Sequence, residues 1–472
     1  MYTQHMYIDG QLIVSDQKHL IINPATRKHV CEIYSATKNE AEMALLSAKG
    51  FEIEWANTDI NERIDWMQKI KKEIIKNEET LRNCVHYETG KTWKDTEEDF
   101  KLLVDSLDYY SKNITNYLNP EIIKDTDYTH KIKKSPVGVV VAYLAWNFPL
   151  LNIGYKLGPA MASGCPIIIK PSSKTPLSAY AVGKICHDIG LPKGAVHILA
   201  GNDRELGNYL SSSTVPALIT LIGSTQTGID VISNSATSIK RYSMELGGDA
   251  PYIVFADADL DAAADILTAI KFTNAGQICV SANRVLVEKS VLDCFTTKLL
   301  NRIANIVVGW ERESNANMGA LIDVAAKERV HRLVVDALEK GATLQCGGNI
   351  NQYEEGAFYP PTLLTNISDK MEIFRNEIFG PVIAISTFDD ENDVVKTANN
   401  TLAGLASYIF TEDKEKATRV SNELSFGEIH VNGIKYSIEL PHSGIKQSGI
   451  GCDCSLHALQ EYFSIKRLSI KN

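Results

Sequence analysis

From Pro136 onward, short apolar runs alternate with amphipathic stretches, and this alternation constrains the fold more than any other feature of the chain. Residues 137–145, 166–170, 196–200, 217–222 and 241–246 read as buried strands. Residues 150–162, 177–189, 204–210 and the stretch after Gly223 read as helices between them. Strands this uniformly apolar have no wet face, which implies a parallel sheet covered by helices on both sides. After Gly248 a second unit of the same kind begins. It has a strand at 251–255, a helix leading into Cys279, and further strands and helices to about residue 432. The N-terminal portion predicts a hairpin around Asp9-Gly10 and helices over 38–54 and 60–76 that pad the first unit. Residues 117–135 and 462–470 fit neither unit, because they alternate like exposed edge strands.

Composition narrows the class. The 472 residues are 44% hydrophobic, enough for a large core divided between two or three domains. The formal net charge of −10, with no basic cluster, argues against nucleic acid as a partner. Residues 1–10 lack the charged-then-apolar pattern of a signal peptide. The uncharged run 137–155 contains Asn147, Pro149 and Asn152, so it reads as a buried strand turning into a helix rather than as a membrane span. Nine scattered cysteines suit a reducing, cytoplasmic setting better than a disulfide framework. Cys452-x-Cys454 has no second ligand pair at metal spacing, and no metal is expected.

Two residues 34 positions apart carry the chemistry. Glu245 lies in Ser-Met-Glu-Leu-Gly-Gly (243–248), and Cys279 ends Asn-Ala-Gly-Gln-Ile-Cys (274–279). A thiol flanked by small residues, with a carboxylate upstream, suits oxidation of an aldehyde through a thioester that activated water then hydrolyses. Asn147, in Trp146-Asn147-Phe148-Pro149, offers an amide donor for the transient oxyanion. Gly223-Ser224-Thr225-Gln226-Thr227-Gly228 follows a strand and opens a helix, a place where backbone N–H groups can meet a pyrophosphate. It is not the Gly-x-Gly-x-x-Gly fingerprint of ordinary dinucleotide folds. Lys170 closes a strand at the ligand-facing end, and Glu377 begins Glu-Ile-Phe-Gly-Pro (377–381).

With these motifs in this order and spacing, nearly the whole chain resembles the aldehyde dehydrogenase superfamily. The resemblance implies two Rossmann-like α/β domains and a small β oligomerisation arm: a dinucleotide-binding domain of residues 1–116 and 136–247, a catalytic domain of 248–447, and an arm of 117–135 and 448–472 that joins homodimers or homotetramers. It implies NAD or NADP, held by Trp146, Lys170, Ser173, Gly223, Ser224, Gly228, Leu246, Glu377 and Phe379. Catalysis falls to Cys279, Glu245 and Asn147. Presence of Glu245 argues against relatives that pass the acyl group to coenzyme A, and the full trio argues against a non-catalytic protein on this fold. Lys156 and Asp453 match a proton relay of some relatives. The aspartate is one methylene short and Cys452 replaces an arginine, so the relay stays open.

The substrate pocket carries Tyr155 and Thr273 where succinate-semialdehyde enzymes of the family carry arginines. That implies a neutral or cationic small-molecule aldehyde, with a carboxy-aldehyde as the alternative. Ser173 stands where NAD-specific relatives carry a glutamate. Together with Lys170 and Lys174 it suggests that NADP is accepted, with NAD still usable.

Overall fold

The computed structural model describes residues 4–353 and 355–472. Two large sheets organise it. The first runs, from edge to edge, Gly449–Ile450, Arg241–Glu245, Leu218–Ile222, Val140–Tyr143, Ile167–Lys170, Val196–Ile198, Met6–Ile8 and Gln11–Ile13. Its five central strands are parallel and both edges are antiparallel. The expected strands are all present, some shortened at their ends, and Ile167, Ile168 and Ile169 are fully buried, as a strand covered on both faces requires. Strand order reverses direction at Val140–Tyr143, so a crevice opens at the carboxyl ends there, where such sheets bind ligands.

The second sheet has seven strands in the order Thr343–Cys346, Thr362–Thr365, Val382–Phe388, Ala282–Glu288, Ala250–Val254, Ala406–Phe410 and Glu428–Val431, all parallel except the first. Each sheet has its own apolar core. A separate antiparallel sheet joins Glu121–Lys124, Tyr128–Pro136 and Phe463–Lys471.

The hairpin at Asp9-Gly10 forms, with Met6 opposite Ile13. The helix Lys38–Asn57 starts at a capping box in which Thr37 accepts from Asn39 N and Glu40 reaches back to the Thr37 N–H. Two more helices, Glu78–Thr89 and Asp95–Tyr117, complete the padding, and the second packs along Pro149–Ser163. The arm differs from the expected 448–472. Residues 449–450 pair with Arg241–Glu245, and Cys454, Leu459 and Tyr462 are buried in the first core. The free-standing strand begins only at Phe463, because the apolar residues before it have a core to enter. Likewise Tyr117 ends a helix rather than opening the arm. Among the described residues no helix is long and apolar enough to cross a membrane.

Candidate active site

The motifs of the first sheet lie at the carboxyl ends of its strands, whereas Cys279 and Glu377 each precede a strand of the second. Lys170 ends its strand, Trp146 and Asn147 follow the strand Val140–Tyr143, and Gly223 follows Leu218–Ile222. Ser224 caps the helix Thr225–Ser235 by accepting from Thr227 N at 3.2 Å. Gly228 lets that helix sit against Leu246: a Cβ there would stand 2.9 Å from the leucine methyls. Trp146 and Phe379 meet edge to face with ring centroids 5.4 Å apart. Glu377 accepts the Gly248 N–H at 3.2 Å, and burial pushes its carboxyl up to about 7.

The expected positive charge around Ser173 is answered within the protein. Asp203 accepts from Lys170 Nζ, from Ser173 Oγ at 2.7 Å and from Ser173 N at 3.1 Å. Lys174 pairs with Asp323 at 2.6 Å. Asp203 thus brings a carboxylate beside Ser173, which sequence reading did not foresee; Asn202-Asp203 signals only the capped start of the helix Asp203–Ser212.

The sulfur is positioned by an unusual turn. The helix Leu260–Phe272 runs into Asn274, Ala275 and Gly276, all left-handed at φ 49°, 53° and 74°. Asn274 and Ala275 bear a strain of the kind that clusters at active sites. Gly276 cannot be replaced, since a Cβ would collide with the Gly380 carbonyl oxygen. Cys279 follows, half-buried. Asn147 donates from Nδ2 to the Gln277 carbonyl at 3.0 Å. Its own carbonyl accepts from Asn274 Nδ2 at 3.0 Å and from Lys91 Nζ at 2.8 Å. Lys91 is fully buried and paired with Asp99 at 3.1 Å, so Asn147 is fixed from both sides. Thr273 caps the end of the helix before this turn.

Glu245 is buried at the end of its strand. Burial raises its carboxyl, which favours the neutral form until a partner charge intervenes. One oxygen, Oε1, lies 3.4 Å from His442 Nε2 without the alignment of a hydrogen bond. Lys156 and Asp453 come together in a buried pair at 2.6 and 2.7 Å. Tyr155 lies on the same helix as Lys156, its ring 6.2 Å from that of His442. His442, with Cys279 and Glu245, forms a cluster whose donor atoms all lie within 4.8 Å of one another. No sequence motif marks it. His442 lies in an aperiodic segment and reaches the site only through the tertiary fold.

This chain matches the model of the aldehyde dehydrogenase family over residues 13–468. The chain belongs to the aldehyde dehydrogenase family. It is 37% identical over 454 residues to the mitochondrial succinate-semialdehyde dehydrogenase of Oryza sativa subsp. japonica, covering 95% of this chain and 86% of that one. It is 33% identical to the glutarate-semialdehyde dehydrogenase of Pseudomonas aeruginosa over 100% of this chain and 98% of the relative. Among solved structures, an NADP-dependent enzyme of E. coli superposes with a TM-score of 0.97 at 32% identity, covering 100% of this chain and 98% of the other. Betaine aldehyde dehydrogenase of Staphylococcus aureus in complex with NAD+ gives 0.95 at 31% identity, covering 99% and 94%. This member of the family is therefore an oxidoreductase that oxidises aldehydes with NAD or NADP.

Proposed function

We propose that Cys279 is the nucleophile, Asn147 the oxyanion donor and Glu245 the base of a non-acylating aldehyde dehydrogenase. The observation that carries this reading is the convergence of a half-buried sulfur, a buried carboxylate and a doubly anchored amide at one crevice. The cradle fits a dinucleotide: a helix N-terminus opened by Gly223 and Ser224, packed on Leu246 through Gly228; Lys170 and Ser173 at one end; and Trp146, Phe379 and Glu377 at the other. Bound there, the cofactor supplies the hydride acceptor. Cys279 adds to the carbonyl, Asn147 steadies the oxyanion, and Glu245 takes a proton from the water that releases the acid. The Lys156–Asp453 pair stands close enough to Glu245 to affect its charge and is a route for that proton.

For the substrate we favour a neutral or cationic aldehyde. Tyr155 and Thr273 supply no guanidinium for a carboxylate, and Tyr155 offers a ring face to a cation. A carboxy-aldehyde is the second reading, favoured by the substrates named for several relatives. A panel of kcat/KM values across chain-length-matched aldehydes decides between them: succinate semialdehyde leading by tenfold would overturn the first. Cys279→Ala should remove turnover altogether while Cys454→Ala retains most of it; equal losses would mean another thiol is the nucleophile.

The division into a cofactor domain (1–116 and 136–247) and a catalytic domain (248–447) is supported by the two separate cores. Assembly as a homodimer or homotetramer is supported by the arm, where Ile122, Ile123, Ile465, Leu468 and Ile470 are exposed on adjoining strands. Nine free cysteines favour a reducing compartment such as the cytoplasm.

A further inference from the structure

The mechanism above leaves one group at the reaction centre without a task. His442 Nδ1 lies 2.6 Å from Glu428 Oε1, and Nε2 lies 3.4 Å from Glu245 Oε1. With Nδ1 occupied by Glu428, Nε2 is the nitrogen left to face the sulfur of Cys279, within the 4.8 Å cluster. The backbone holds the ring in place. His442 and Asp453 exchange N–H to carbonyl bonds of 2.8 Å in both directions, so the segment is tied to the tail of the first sheet.

We propose that His442 is a further catalytic residue, which takes the proton of the Cys279 thiol onto Nε2 and leaves an imidazolium–thiolate pair braced by Glu428. This deepens the reading of Cys279 as nucleophile and rests on it. The step is balanced: the S–H bond breaks, an N–H bond forms, and the electron pair stays on sulfur. No further reactant is required. An adjacent base oriented by a third group is the recurring arrangement for activating a weak nucleophile.

Burial opposes a free thiolate at Cys279, and His442 is the neighbouring group that favours one. Burial and then the Glu245 carboxylate push the Cys279 thiol up to about 12, and His442 is the neighbour that pulls it down. Burial works against protonation of His442, but contacts with Cys279, Glu245 and Glu428 outweigh it and hold the imidazole well above its ordinary value. Against burial, His430 and His442 hold Glu428 down to about 2, so it stays an anion. The other titratable groups around the ring are Tyr155 on its helix, His430, Tyr408 and Tyr436 on the second unit, and Cys452, Asp453 and Cys454 on the tail. Asp453 is committed to Lys156, and burial keeps the tyrosines and both tail cysteines neutral. Glu428 is thus the counter-ion of two rings, His442 on Oε1 at 2.6 Å and His430 on Oε2 at 3.6 Å, and Cys279 is the acid that His442 faces.

The test is the rate of Cys279 alkylation by iodoacetamide, followed against pH on cofactor-free enzyme before and after dialysis against EDTA. Wild type should already react below pH 7. His442→Gln should lose that limb, with alkylation at pH 6.5 slowed at least tenfold and the gap narrowing only as pH rises toward about 12, where burial holds the thiol. Glu428→Gln, which keeps the imidazole, should move the profile the same way by a smaller amount, and guards against misfolding of the first variant. Tryptophan quenching by NADP shows that each protein is folded. A profile unchanged in His442→Gln overturns the proposal, even if hydrolysis of the thioester changes. So does a wild-type profile whose low-pH limb disappears on dialysis against EDTA, which would assign the three atoms to a metal. Mass spectrometry of the label separates the two readings: a label absent from Cys279 sinks the nucleophile assignment itself, whereas a label on Cys279 with an unchanged profile sinks only the role of His442.

Discussion

The two ends of the crevice use the same ingredients to opposite effect. At one end Lys170 and Ser173 share Asp203, whose side chain is 48% exposed. At the other, Glu245, His442 and Glu428 hold one another with side chains no more than 12% exposed. Water reaches Asp203 but not Lys170, whose side chain is 5% exposed, so the first cluster is only partly screened and its charges bias which ligand is preferred. Burial governs the second, so each group there sets the ionisation of its neighbours. Specificity at the open end should yield to a single charge change at small cost, and chemistry at the closed end should not.

Predictions that strain this contrast begin at the closed end. Glu245→Gln should keep a stoichiometric burst of reduced cofactor while steady turnover falls about a hundredfold, because hydride leaves before water attacks. Stopped-flow absorbance separates the phases, and loss of the burst would place Glu245 earlier in the sequence of steps. Asn147→Ala should cost about 3 kcal/mol of barrier, seen in kcat with KM little changed. A rise in KM alone would make Asn147 a binding residue.

At the open end, Asp203→Asn removes the carboxylate beside Ser173 and frees Lys170. The preference for NADP over NAD should rise about fivefold, about 1 kcal/mol, the upper end for a pair with one partner open to water, with kcat unchanged. Unaltered cofactor KM values would show that the 2′-position of the ribose lies elsewhere. The smallest effect should come from Glu377, which accepts the Gly248 N–H. Its carboxyl, pushed by burial up to about 7, is neutral below that pH and ionised above it. If the ionised form accepts ribose hydroxyls, as the proposed cradle requires, cofactor affinity should strengthen about twofold to fivefold from pH 6 to 8. Glu377→Gln should flatten that slope in fluorescence titrations.

The sequence is most legible where one local pattern decides the outcome. An unbroken run such as Ile167–Lys170 can only be a strand buried on both faces, and the roles proposed for Cys279, Glu245 and Asn147 are suggested by the motifs around them, small residues for the thiol and Trp146, Phe148 and Pro149 for the amide. Legibility fails where a partner is distant. Asp203 is a plain helix-start aspartate until the fold places Lys170 and Ser173 against it. Lys91 looks like a surface lysine after a glycine, yet it is buried because Asp99 and the Asn147 carbonyl can satisfy it together. The tail reads as alternating from residue 462, and it does pair in the arm, but nothing local reveals that residues 449–450 close the first sheet. His442 is the extreme case, since its meaning lies entirely in Glu428, Glu245 and Cys279.

The pairing of Lys156 with Asp453 also bears on how the protein is made. The two residues are 297 positions apart, and both are buried in the finished molecule. While a ribosome is still short of residue 453, the helix Pro149–Ser163 carries an ammonium whose counter-ion does not yet exist, and a buried charge left alone costs about 3 to 5 kcal/mol. The edge strand Gly449–Ile450 is missing from the sheet over the same interval. The first half of the chain, though translated early, therefore cannot lock its final packing until almost all of the second half has emerged. Nascent chains of this length should depend on holding chaperones for most of their synthesis, and maturation should come in one late step rather than unit by unit.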